Sequence, residues 1–153
     1  MATSTLVQFI SAGEKASTSN RSQEETFLAG GAIAAGDWVA LDVSQTGANK
    51  ALYVKETTAA AGSAVVCGVA LVAAATGAQV RVCIGGFCKT ASVVNATGAE
   101  SALMTSGATA GMAIAATYVA SGGGITALPI PCGVALTTAG VSNTAEVWVT
   151  SRF

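Results

Sequence analysis

The residues of this chain that could do chemistry are few, and they are the wrong types for the common catalytic sites. Its 153 residues include no His, 8 Asp or Glu, 7 Lys or Arg, and 4 Cys. His is the usual general base and the commonest protein ligand for metals. Its absence excludes Ser-His-Asp and Cys-His catalysis and every zinc site that contains His. We therefore expect no enzyme activity, no cofactor and no metal ion.

Two aspartates flank one predicted strand, and a pair of carboxylates can serve as an acid and a base in catalysis. Asp37 follows Gly36, and Asp42 ends an apolar run that begins at Trp38. Asp side chains commonly hydrogen-bond backbone N–H groups in turns. The pattern therefore predicts that both aspartates cap turns.

The four cysteines are Cys67, Cys83, Cys88 and Cys132. The first residues lack the basic start and apolar core of a secretion signal, so we expect a protein that is not secreted and whose cysteines are not paired. Buried free thiols that act as small apolar side chains are the favoured interpretation. A bridge between Cys83 and Cys88 across a hairpin is the alternative.

The charges are unevenly distributed along the chain. Ten of the 15 charged residues lie within residues 1–56, whereas residues 57–80 and 101–145 carry none. The formal net charge is −1, which disfavours nucleic acid as a partner because such binders carry a basic patch. Either the neutral surface is simply polar, or much of it is covered by partner subunits.

A pentapeptide that occurs twice indicates an internal repeat. Cys-Gly-Val-Ala-Leu stands at residues 67–71 and again at 132–136. The uncharged stretch 57–80 is long enough to span a membrane, but its Thr, Ser and Gly content and the recurrence of the pentapeptide indicate a strand instead, so we expect no membrane partner. The sequence aligns residues 29–84 with 108–150, which places Gly36-Asp37 opposite Gly111-Met112.

Short runs rich in Val, Ile and Thr, separated by Gly, Asn and Ser, predict strands joined by turns. Val80, Val82 and Ile84 alternate with Arg81 and Cys83, as in a strand with one buried face. The expected fold is all-β: a small β-barrel or β-clip-like domain over residues 27–153, built from two loosely repeated strand units. Residues 1–26 are expected to form an extended N-terminal arm.

The repeated motifs resemble the capsid-cement, or head decoration, proteins of tailed bacteriophages. They read AIAAGDWVALD and CGVALVAAATGAQVRVCIGG in the first unit, and ATAGMAIAA and CGVALTTAGVSNTAEVWV in the second. The resemblance implies a structural virion protein that binds across subunits of a major capsid protein as a homotrimer, without catalysis. It would be found on the capsid exterior, and in the host cytoplasm during assembly. The second unit departs from the pattern at Met112 and at Ser142-Asn143.

The N-terminal arm holds the residues predicted to bind a partner. They form one β-prone run: Thr5, Leu6, Val7, Gln8, Phe9 and Ile10. A polar segment, residues 11–26, separates this run from the repeat. Such a strand can add to a sheet edge of a neighbouring subunit through main-chain hydrogen bonds. Pairing with its own sheet and terminal disorder are the alternatives.

Two further functions remain open at this stage. The Ile-Ala-Ala-Gly-Asp turn also resembles that of antifreeze-like (SAF) domains, which suggests a small β-clip module that binds a carbohydrate-like ligand. A sugar site would need aromatic side chains gathered in one pocket, whereas the eight aromatics here are spread along the chain. The other alternative is a different virion component, such as a tail-tube or head-fibre subunit.

Overall fold

The computed structural model describes residues 21–58, 63–95, 97–116, 120–121, 124–125 and 130–150. Over these residues the chain is nearly all β and contains a closed five-stranded barrel, which confirms the predicted fold class. The strands are β1 Ser22–Ala29, β2 Trp38–Leu41, β3 Tyr53–Glu56, β4 Val66–Ala70, β5 Gln79–Ser92, β6 Ala102–Thr105, β7 Ala113–Ala115, β8 Ala120–Ser121, β9 Gly124–Ile125, β10 Gly133–Ala135 and β11 Thr144–Val149. One short 3-10 helix, Gly47–Ala51, precedes β3.

The first barrel consists of β1 to β5, in the order β1-β3-β2-β4-β5, and is closed by pairing of β1 with β5. Closure leaves few free edges for other chains to pair with. Small apolar side chains fill its interior because alternate residues of each strand point inward. They include Val39, Val54, Cys67, Val80 and Val82.

The second half of the fold repeats the first with one strand shared. Strands β11, β10, β6 and β7 follow β5 in the sheet, and a parallel bridge from Ala113 to Val93 returns to the end of β5. The N-terminal part of the 14-residue β5 therefore closes the first barrel, and its C-terminal part is the first strand of the second unit. In this scheme β6, β7, β10 and β11 take the places of β2, β3, β4 and β5.

Equivalent backbone hydrogen bonds establish the register of this structural repeat. Gly36 N–H donates to Ala70 O at 2.8 Å, and Glu100 N–H donates to Ala135 O at 2.7 Å. Gly36 and Glu100 both have positive φ, 92° and 64°. Gly36 therefore corresponds to Glu100, and the sequence alignment of Gly36 with Gly111 is not the structural one.

Two buried clusters show how the halves pack. Trp38, Val66, Val69 and Cys83 belong to strands of the first barrel but point out of it, and they join the core of the second half. The Trp38 indole N–H also donates to Ser92 O at 3.1 Å. The outer face of β2, β4 and β5 is thus covered by the second half of the same chain.

One expected boundary is wrong. Residues 22–26 were predicted to end the polar linker, but they form the first part of β1 and pair with β5 from Ser22 opposite Gly86 to Thr26 opposite Arg81. Their polar character misled the prediction, because an edge strand exposed to solvent can be polar and still pair through its backbone. The barrel therefore begins before residue 27.

All four cysteines lie in described segments, and all four are buried thiols rather than members of a disulfide. This confirms the favoured interpretation of the cysteine pattern. Over the described residues, no helix is long and apolar enough to cross a membrane.

Candidate functional site

The most distinctive surface is an apolar row on the outside of the second half. Phe87, Trp148, Val134 and Ala102 lie opposite one another across β5, β11, β10 and β6. Trp148 keeps 41% of its surface exposed, which is unusual for the largest apolar side chain. We call these four residues the Trp148 face. No described residue covers the exposed part of the Trp148 side chain.

The repeat shows what an equivalent surface does elsewhere in the molecule. In the first barrel, Trp38 pairs with Val69 and Val69 pairs with Cys83, and the second half of the chain buries all three. Ala102, Val134 and Trp148 occupy the corresponding positions in the second half, in the same cross-strand order. The Trp148 face is therefore the counterpart of a surface on which this chain already packs one barrel unit.

The two halves also differ in charge. The first barrel carries two ion pairs among the described residues. Arg81 Nη1 lies 3.5 Å from Glu24 Oε2 on the exposed surface, and Lys55 Nζ lies 2.9 Å from Oδ1 of the buried Asp42. Strands β6, β7 and β10 lie within the stretch without charge, residues 101–145. Depletion of Lys and Glu is the compositional signal of the centre of a protein interface.

Asp42, predicted to cap a turn, does so and anchors the β2–β3 connection. Its Oδ1 accepts from Ser44 N–H at 3.2 Å and from Ser44 Oγ at 2.6 Å, and its Oδ2 accepts from Gln45 Nε2 at 2.8 Å. These bonds, together with Lys55, hold the pKa of the Asp42 carboxyl far below its usual range. A buried carboxylate with this many donors is a structural anchor.

Asp37 also caps its turn, accepting from Ala34 N–H at 2.8 Å. Glu56 lies beside the same glycine, Gly111, and the sequence did not predict that it would be near Asp37. A Cβ added to Gly111 would lie 2.7 Å from Glu56 Oε1 and 3.0 Å from Asp37 Oδ1, so both carboxylates lie against the Gly111 backbone. Burial raises the pKa of Asp37, and burial followed by the charge of Asp37 raises that of Glu56.

This carboxylate pair lies where the two halves meet. Gly111 O accepts from Trp38 N–H at 2.8 Å, and Gly111 N–H donates to Thr57 O at 3.0 Å. The segment before β7 is thereby tied to the first barrel beside two carboxylates. The charge beside the joint therefore changes with pH as these two carboxyl groups titrate. Among the described residues, no group of three or more His, Cys, Asp or Glu side chains could hold a metal ion.

One cleft bears on the carbohydrate alternative. It has a volume of about 330 Å³ and is lined by Ala35, Gly36, Ala70, Leu71, Lys89 and Thr90. Sugar sites combine stacked aromatic side chains with convergent polar groups, and no aromatic residue is among those that line this cleft. The cleft gives the carbohydrate alternative no support.

The residues predicted to bind a partner, Thr5 to Ile10, lie outside the described residues. Strand addition by this segment stays a prediction. The first strand, β1, begins at Ser22, which pairs with Gly86 near the middle of β5.

Two comparisons with known proteins bear on the chain. No protein-family model matches it, and no curated protein sequence matches it either. The support for the Trp148 face as a functional site therefore comes from its geometry.

Sequence reasoning missed the Trp148 face. Trp148 could equally have been a core anchor, as Trp38 is. The available signal was the absence of charge over residues 101–145, but that signal does not locate a face until the register of β10 and β11 is known.

Proposed function

We propose that this protein is a capsid-decoration protein, which assembles as a homotrimer and stabilises a virus head by binding across major capsid protein subunits. The observation that carries the proposal is the apolar Trp148 face on a closed β-barrel fold, in which Trp148 keeps 41% of its surface exposed. The motif resemblance to head-decoration proteins supplies the class of partner.

Self-assembly is supported by the internal repeat. The chain already packs one barrel unit on the Trp38, Val69 and Cys83 surface, and the equivalent Trp148 face is left open by the described residues. Filling it with the first barrel of another copy gives a head-to-tail contact. Head-to-tail contacts close into rings when the rotation between subunits allows it, and three chains with two units each form such a ring.

Binding to the shell is assigned to the N-terminal arm, residues Thr5 to Ile10. A β-prone segment before a closed barrel is suited to pair with a strand of another protein, because the barrel itself offers few free edges. The trimer interface and the shell contact are thus separate parts of the chain.

The test is reconstitution with a major capsid protein, which is first to be sought in the reading frames next to the one that encodes this chain. Shells assembled from that protein are mixed with the purified chain, pelleted and imaged. Trimeric density at threefold positions, together with higher resistance of the shells to heat, is the expected result. If the chain stays in the supernatant and leaves shell stability unchanged, the proposal fails.

A further inference from the structure

Strand β5 carries two thiols on either side of an irregularity. Cys83 pairs with Glu24 and Gly85 pairs with Gln23, so Ile84 is an extra residue in the ladder, a β-bulge. Gly86 follows with φ of 83°, a conformation that favours glycine. Residues five apart on a regular strand face opposite sides and lie about 16 Å apart, but this bulge and bend bring both side chains to the same core.

The contacts of Cys83 place its sulfur beside the peptide that links Phe87 to Cys88. Cys83 Sγ lies 3.6 Å from Gly85 O and 3.8 Å from Phe87 O, and the Phe87 carbonyl carbon is bonded to the nitrogen of Cys88. Both thiols belong to the same buried cluster. Cys67 lies in the other cluster, inside the first barrel.

We infer that Cys83 and Cys88 are an oxidation site, a thiol pair that closes to a disulfide when hydrogen peroxide reaches it and pins the bend of β5 where the two halves join. The inference goes beyond the proposed function and does not depend on it. It concerns the chemistry of the pair in any compartment that supplies an oxidant.

The reaction is balanced in two steps. The thiolate of one cysteine attacks a peroxide oxygen, the O–O bond breaks, and hydroxide leaves and takes up the proton released from that thiol, which gives a sulfenic acid and water. The second thiol attacks the sulfenic sulfur, the S–S bond forms as the S–O bond breaks, and the leaving hydroxide takes the second proton. The cysteines lose two electrons and two protons, and peroxide is reduced to two waters.

The electrostatics favour the first step at this pair. A thiolate at Cys83 accepts a hydrogen bond from the Cys88 thiol, which lowers the pKa of Cys83 and raises that of Cys88. Burial raises the pKa of Cys67 to about 12, so that thiol stays protonated and serves as an internal control. Thiolates, not thiols, react with peroxide.

The sequence makes the test direct, because trypsin cleaves after Arg81 and Lys89 and releases both cysteines on one peptide, residues 82–89. The native protein is treated with hydrogen peroxide, unfolded, alkylated and digested, and the peptides are weighed. We expect peptide 82–89 to lose the mass of two hydrogen atoms and to resist alkylation, with recovery after dithiothreitol. The peptide that contains Cys67 should be alkylated throughout.

Two outcomes would overturn the inference. One is alkylation of both thiols of peptide 82–89 after peroxide treatment, and the other is a cross-link that joins this peptide to the one containing Cys132. The variant Cys88→Ser tests the order of events: its hydroxyl keeps a hydrogen-bond donor beside Cys83 but cannot form a disulfide, so Cys83 should stop at a sulfenic acid that dimedone traps. Cys67→Ala is the matched control and should leave disulfide formation on peptide 82–89 unchanged.

Discussion

At the residue scale, Asp42 shows how one polar side chain fixes a connection. Its carboxylate is nearly fully buried and receives donors from Ser44, Gln45 and Lys55. Charge-assisted hydrogen bonds of this kind are stronger than neutral ones. The two strands that line the first barrel at this end, β2 and β3, are therefore held by a group that must stay ionised.

Replacing Asp42 tests this anchor. Asp42→Asn keeps the shape but removes the charge, and we expect it to lower the free energy of unfolding by about 1.5–3 kcal/mol at pH 7. The folded-state pKa of Asp42 is lowered, so its stabilisation is full above the unfolded pKa of about 3.9 and is lost as the pH falls through and below that value. Urea unfolding between pH 3 and pH 7 measures both effects. A variant as stable as the wild type at pH 7 would contradict this role.

Ionisation of the pair Asp37 and Glu56 has the opposite effect on stability to that of Asp42. The folded-state pKa of Glu56 is raised by burial and by Asp37, so folding favours its protonated form. Its contribution to stability is greatest below the unfolded pKa of about 4.3 and declines as the pH rises through the folded value. The pair thus weakens the joint between the halves at neutral pH.

Glu56→Gln removes this repulsion. We expect the variant to be more stable than the wild type at pH 7 by at most about 1 kcal/mol, and equal to it near pH 3, where wild-type Glu56 is protonated. Thermal unfolding at the two pH values decides the question. Glu25→Gln, at an exposed position of β1, is the control and should change stability little at either pH.

At the element scale, the sequence predicted the kind of structure better than its exact pairing. Alternation of Val80 and Val82 with Arg81 identified a strand, and the repeated pentapeptide identified β4 and β10. The match of Gly36 to Gly111 failed because a glycine is only one way to reach positive φ, and the structural counterpart is Glu100. The polar residues of β1 were missed because pairing through the backbone leaves no mark on side-chain pattern.

In both copies of the repeated pentapeptide, close approach of a neighbouring strand requires glycine at the second position. A Cβ on Gly133 would lie 2.5 Å from Trp148 O, and a Cβ on Gly68 would collide with Cys83 O at the equivalent place. The strands β4 and β5, and likewise β10 and β11, approach too closely here for any side chain. Only glycine permits this pairing.

Substitution at one copy tests that reason. Gly68→Ala should lower the free energy of unfolding by at least about 3 kcal/mol, because the colliding atom is backbone and can move only with its strand. Gly31→Ala is the matched control, since nothing lies within 4 Å of its added Cβ, and it should stay within about 0.5 kcal/mol of the wild type. Similar costs for the two variants in chemical unfolding would show that close approach is not the reason.

At the scale of the whole molecule, the repeat explains why one apolar face is buried and its counterpart is not. The absence of charge over residues 101–145 was compatible with either a neutral polar surface or a covering partner, and only the fold located the open position. The proposed shell contact of the arm is supported by the motif resemblance and by the β-prone, apolar character of residues 5–10.

The proposed trimer contact is tested at Trp148. Trp148→Glu places a charge in the centre of the Trp148 face, and we expect trimers to dissociate to monomers in sedimentation velocity, because a buried unpaired charge is costly. Circular dichroism and a cooperative thermal transition should show that the monomer still folds. Val141→Glu, at a position 97% exposed, is the control and should remain trimeric. A Trp148→Glu variant that stays trimeric would place the contact elsewhere.

The N-terminal arm is tested by truncation before the first strand. Since β1 begins at Ser22, deletion of residues 1–20 leaves every paired residue of the barrel in place. We expect the thermal midpoint of the isolated protein to change little, and decoration of shells in a co-sedimentation assay to fall. Residues 11–21 span at most about 36–40 Å when extended, enough to reach a neighbouring subunit.

The mode of binding is tested within the arm itself. Strand addition draws its affinity from main-chain hydrogen bonds, so Leu6→Ala should weaken decoration less than Leu6→Pro, which removes a backbone donor. If side-chain burial of Leu6 dominates instead, the two variants will weaken decoration alike. Should the truncated protein bind shells as tightly as the full chain, the arm is not the anchor, and the shell contact must lie on the barrel.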